Sequence, residues 1–81
     1  VSDLRVEFHT AALAQMRGLP DEALDALVVR VTDLLTEPWD AQVIGDDDRF
    51  RRTVFGGRGL VSFFLDESEH VVRIFDVTWA G

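Results

Sequence analysis

The chain has 81 residues, with 15 Asp and Glu against 8 basic residues and a formal net charge of −7. A chain this short buries only about 60 to 65% of its unfolded surface, so one domain over residues 1–81, with one core, is expected. Net acidity excludes a strong general nucleic-acid binder, the lack of cysteine excludes disulfides and thiolate metal sites, and a hydrophobic fraction of 47% excludes disorder.

His9 and His70 lie far apart in the sequence with no ligand cluster nearby, so no metal and no cofactor is expected. No apolar run approaches the ~20 residues that span a bilayer, and the opening VSDLRVEF has neither the basic region nor the apolar core of a signal peptide. The expectation is a soluble, cytoplasmic protein with no membrane partner. All eight basic residues are arginine, which suggests a GC-rich bacterial genome. Charge is unevenly placed: residues 1–48 carry eleven acids and three arginines, whereas residues 49–81 carry four acids and five arginines. A local cationic patch can attract phosphate although the whole chain repels it.

Leu4, Val6 and Phe8 alternate with Arg5 and Glu7, the period of a half-buried strand. Thr10 is the expected N-cap of a short helix, AALAQMR, and Gly18 its left-handed terminator. Pro20 opens a second helix, with Asp21, Glu22 and Asp25 at its positive end and Leu24, Leu27, Val28, Val31, Leu34 and Leu35 at helical spacing. Glu37-Pro38-Trp39 stops it, and the run to Asp48 reads as a loop in which Asp46, Asp47 and Asp48 form a solvated turn.

Three strand-like runs follow: FRRTVF, LVSFFL after the turn at Gly56, Gly57, Arg58 and Gly59, and VVRIFDVTW after a turn over residues 66–69. The fold class expected is α+β, with two N-terminal helices on one face of a four-stranded, mainly antiparallel sheet, in the order β-α-α-β-β-β. Strict alternation turns Phe50, Val54, Val61, Phe63, Leu65, Val71, Phe75, Val77 and Trp79 toward the helices. It leaves Arg51, Thr53, Phe55, Leu60, Ser62, Phe64, Ile74, Asp76 and Thr78 on the open face, where Phe55, Leu60, Phe64 and Ile74 form a candidate partner-binding surface.

The element order resembles that of the RelE/ParE superfamily of bacterial toxins. The residues that carry the likeness are FHTAAL at the end of the first strand, the LP turn between the helices, EPW after the second helix, the hairpin RFRRTVFGGRGLVSFF and the closing VVRIFDV. The resemblance implies a toxin held inactive by a cognate antitoxin. RelE-type members cleave messenger RNA on the ribosome, and ParE-type members poison DNA gyrase. Phe50 and Arg51 match the family's aromatic-basic pair. Thr53 stands where a second basic residue is common, Leu60 where an arginine opens the next strand, and Gly81 precedes the region in which a further arginine and a tyrosine are usual.

Metal-free RNA cleavage needs a base for the 2′-hydroxyl proton, cations for the phosphorane and an acid for the leaving oxygen. With neither lysine nor tyrosine in the chain, His9, His70, Asp76 and Glu7 are the proton-transfer candidates. Both histidines read foremost as surface or capping groups, and Asp76, expected on the face of Arg51, reads foremost as its ion-pair partner.

The candidate catalytic residues are Arg51, Arg58 and Asp76, with Arg58 in its glycine turn reaching the place of the missing arginine. The candidate RNA-binding residues are Arg49, Arg51, Arg58 and Phe64. Arg52 is expected to lay its stem against the helices. Three readings stay open: an RNA-cleaving toxin, a catalytically silent domain whose open face binds an antitoxin-like segment or a second copy of itself, and a gyrase-poisoning toxin.

Overall fold

The computed structural model describes residues 4–80. The elements run β1 (Arg5–Phe8), α1 (Thr10–Met16), α2 (Asp21–Thr36), β2 (Gln42–Val43), β3 (Phe50–Phe55), β4 (Gly59–Asp66) and β5 (Val71–Trp79). The class is α+β with two helices on one sheet, as expected. The sheet has five strands rather than four, ordered β1-β5-β4-β3-β2. The extra strand, β2, is two residues from the run read as loop, and it pairs antiparallel with β3 through Gln42 opposite Arg52 and Val43 opposite Arg51. β1 joins the far edge, parallel to β5, and all other neighbours are antiparallel.

Helix α2 forms where its apolar residues fall on one stripe. Ala23, Leu27, Val31 and Leu34 are buried, and Asp21 and Glu22 occupy the first turn, where the helix dipole favours negative charge. Helix α1 is capped by His9 rather than Thr10, through an Nδ1 that accepts from the Ala11 N–H at 3.2 Å. It ends without a left-handed glycine, since Gly18 is not among the positive-φ residues; among the described residues those are Gly45, Gly56, Gly57 and His70. The core lies between these helices and one sheet face, with Ala12, Leu27, Leu34, Val61, Phe63 and Ile74 fully or almost fully buried.

Two local features change which side chains face that core. In β3, Arg51, Thr53 and Phe55 face the helices, while Phe50, Arg52 and Val54 face outward, the reverse of the expected phase. Apolar residues stand at both parities of FRRTVF, so alternation alone cannot choose. The choice falls on Phe55 because its ring covers Gly59 and stacks on Trp79 at 5.7 Å between centroids. Arg30 of α2 then reaches Thr53 Oγ1 at 2.9 and 3.1 Å, so a polar pair is satisfied inside the layer.

In β5, the register shifts so that Ser62 pairs with Asp76 and Phe63 with Ile74, leaving Phe75 as an extra residue. This bulge reverses the phase along the strand. Ile74 and Val72 therefore face the helices upstream of it, Val77 and Trp79 downstream, and Phe75 lies exposed. Phe55, at 2% exposure, and Ile74, at 0%, are core residues and not part of a partner-binding surface.

Candidate functional site: the open face of the sheet

The strand register builds a row of side chains across the open face. Glu7 of β1 is opposite Arg73 of β5, Arg73 opposite Phe64 of β4, and Phe64 opposite Phe50 of β3. Adjacent strands lie about 4.8 Å apart, so the row extends over roughly 14 Å. Phe50 and Phe64 contact at 4.7 Å between centroids, and Phe75 meets Phe50 edge-on at 6.0 Å. With Phe8, His9 and Thr10, this row lines a cleft of about 430 Å³. A cleft with four phenylalanines and a few polar groups at one end suits a flat ring stacked on its floor.

The charges around the cleft are mostly paired. Arg73 donates Nη1 to Glu7 Oε1 and binds Asp66 Oδ2 through Nε and Nη2, each at 3.3 Å. Glu7 Oε2 also receives Arg5 at 3.5 Å. Arg49 makes a two-point pair with Asp47, at 2.7 and 3.0 Å, and its guanidinium lies 5.3 Å from the Phe64 ring centre. Hydrogen bonding from Arg49 lowers the Asp47 carboxyl to about 2. The Asp66 carboxyl is also lowered, first by the Ser68 hydroxyl, then by the Glu69 N–H and Arg73. Such exposed pairs orient side chains more than they stabilise the fold.

The expected catalytic residues are not brought together. Arg51 faces the helix layer and ties down the loop before β3, donating Nε to the Asp48 carbonyl at 2.8 Å and Nη1 to the Ala41 and Trp39 carbonyls at 2.9 and 3.2 Å. It also covers the Trp39 ring at 4.9 Å. Asp76 sits at the bulge with its Oδ1 accepting from Gln15 Nε2 at 2.9 Å, while Gln15 Oε1 accepts the Val77 N–H at 2.8 Å. It does not pair with Arg51.

Arg58 lies in the β3-β4 turn beside Glu22, Gly56 and Trp79, where Gly56 packs so closely on Ala26 and Trp79 that the turn leans onto α2, away from the aromatic cleft. Of the expected RNA-binding residues, Arg49 and Phe64 meet at the cleft. Leu60, at 39% exposure, remains on the open face as expected.

Arg52 was expected against the helices. It is instead exposed on the open strand face and has no ion pair among the described residues. Arg73 and Phe75 were missed as site residues, and Glu7 was only one of four proton-transfer candidates. The alternation of β1 did mark Glu7 as outward-facing. What the sequence lacked was any local sign that β1 pairs with β5, because that contact joins residues 66 positions apart.

The chain matches a chain of the Mycobacterium tuberculosis RelBE2 toxin-antitoxin complex, with TM-score 0.82, 23% identity, and 94% of this chain and 96% of that one covered. The fold is that of the RelE toxins. An Escherichia coli RelE mutant solved with a RelB antitoxin peptide matches at TM-score 0.84 and 16% identity, covering 96% of this chain and 84% of that one. A chain of the archaeal Pyrococcus horikoshii RelE-RelB complex matches at TM-score 0.74 and 17% identity, covering 96% of each chain. No protein-family model matches the chain, and no curated protein sequence matches it. Among the described residues, no helix of this RelE fold is long and apolar enough to cross a membrane.

Proposed function

We propose that this chain is the toxin component of a bacterial type II toxin-antitoxin system, acting on messenger RNA and held inactive by a cognate antitoxin protein. The observation that carries the reading is the near end-to-end correspondence with RelE chains from both bacterial and archaeal complexes. The open face adds support, since a phenylalanine cleft rimmed by arginine is a suitable surface for an unstacked base and its phosphate. Induced expression in a bacterial host, with growth and total transcripts followed together, tests it. Arrest with rapid transcript cleavage is the expected result. Arrest with intact transcripts would redirect the reading to gyrase.

A second reading has its own observation. Arg49 and Arg51, two of the four arginines between residues 49 and 58, are engaged within the chain, which favours a catalytically silent domain that binds a partner through Phe50, Val54, Leu60 and Phe64. Normal growth at verified expression would select it.

A further inference from the structure

We propose that Glu7 and Arg73, with His9 of the same cleft, are the reacting groups of the RNA-cleaving site, an assignment that rests on the messenger-RNA reading above. The chain offers no lysine or tyrosine, and Arg51, Arg58 and Asp76 are turned or tied elsewhere. Glu7 and Arg73 stand opposite each other at the end of the aromatic row, and both line the cleft.

A guanidinium has five N–H groups. Glu7 takes one and Asp66 another, with Nη2 also in ion-pair contact with Asp66, so Arg73 is fixed in direction and still presents donors to a phosphate. The Glu7 carboxylate has about four acceptor positions, of which Arg73 and Arg5 engage two. The Nδ1 of His9 accepts the Ala11 N–H that caps α1, which leaves Nε2 as the ring nitrogen turned to the donor role. It therefore serves as a donor to the phosphoryl oxygen, not as a base.

A nucleotide with its base on Phe64 and Phe50 brings its ribose over this pair. Glu7 accepts the 2′-hydroxyl proton while the 2′-oxygen bonds to the adjacent phosphorus. Arg73 and His9 hold the anionic oxygens of the phosphorane. The bond from phosphorus to the 5′-oxygen breaks, that oxygen takes a proton from solvent water, and the hydroxide so formed takes the proton from Glu7, restoring the carboxylate. The products are a 2′,3′-cyclic phosphate and a free 5′-hydroxyl, with atoms and charge balanced.

The test uses the full chain with an end-labelled messenger RNA, supplied free and on initiated ribosomes. Wild type should cut and leave a 2′,3′-cyclic phosphate, and a 2′-deoxy residue at the cut position should block it. Glu7→Gln should lose at least about 100-fold in rate, with its melting temperature within about 5 °C of wild type. Cutting by folded Glu7→Gln within about threefold of wild type, or cutting at the 2′-deoxy position, would overturn the assignment and leave the toxin reading standing. If wild type cuts neither substrate, the messenger-RNA reading falls and this assignment with it.

Discussion

Replacing Arg51 by alanine separates a structural role from a functional one. Its guanidinium donates to three backbone carbonyls, those of Asp48, Ala41 and Trp39, and lies over the Trp39 ring. Hydrogen bonds to charged groups contribute about 1.5 to 3 kcal/mol each, and an exposed cation-π contact about 0.5 to 1. Two of the three bonds are solvent-exposed and all share one side chain, so they do not add.

A loss of about 2 to 3 kcal/mol is therefore expected, out of roughly 4 to 12 for a domain of this size. At about 4 to 8 °C per kcal/mol, the melting temperature should fall by roughly 8 to 24 °C. Arg51→Lys should recover little of it, because one ammonium cannot span three carbonyls as the planar fork does. Thermal unfolding by circular dichroism, with Trp39 fluorescence as a second probe, measures the loss. A variant that melts within about 2 °C of wild type yet loses RNA cleavage would refute the structural role and return Arg51 to the site.

Gly59→Ala should be strongly destabilising, because its new Cβ would lie 2.4 to 2.7 Å from the buried Phe55 ring, and such overpacking costs about 1 to 3 kcal/mol. Chemical denaturation of Gly59→Ala alone and with Phe55→Leu checks it, and the double variant should lose less than the two single losses added. Asp47 has a depressed carboxyl, so the stability it contributes is present above pH ~4 and is lost as pH falls through about 2. Arg49→Gln should move the Asp47 titration, followed by carboxyl-carbon NMR, back toward 3.8. Arg52→Ala should change stability by less than about 0.5 kcal/mol yet weaken single-stranded RNA binding and lower its salt slope by roughly 0.7. Fluorescence anisotropy across a salt series measures that.

The sequence carried most of the element order, because each segment is marked locally: alternation in β1 and β4, helical spacing in α2, and paired glycines at the hairpin where Gly56 and Gly57 adopt positive φ. It failed where the outcome depends on a distant partner. The phase of β3 was settled by Phe55 fitting over Gly59 and by Arg30 reaching Thr53, contacts that a period-two pattern with apolar residues at both parities does not encode. The β5 bulge moved Ile74 inward and Phe75 outward, and its Gln15 clamp comes from a helix about 60 residues earlier. The aromatic partners of the site were half legible, since Phe64 was assigned to the open face and Phe50 was not. The Glu7-Arg73 pair depended on the β1-β5 register alone.

The central claim is that function resides on the open face, at the row from Glu7 to Phe50, and not at Arg51. Titrating the isotope-labelled chain with an RNA hexamer that carries 2′-deoxy residues to prevent cutting, and following backbone amide shifts, tests it most directly. The account predicts the largest changes at Glu7, His9, Phe64, Arg73 and Phe75, with the Trp39 to Asp48 loop unmoved. Changes confined to that loop and Arg51, or no change at any residue of the row at saturating RNA, would contradict it.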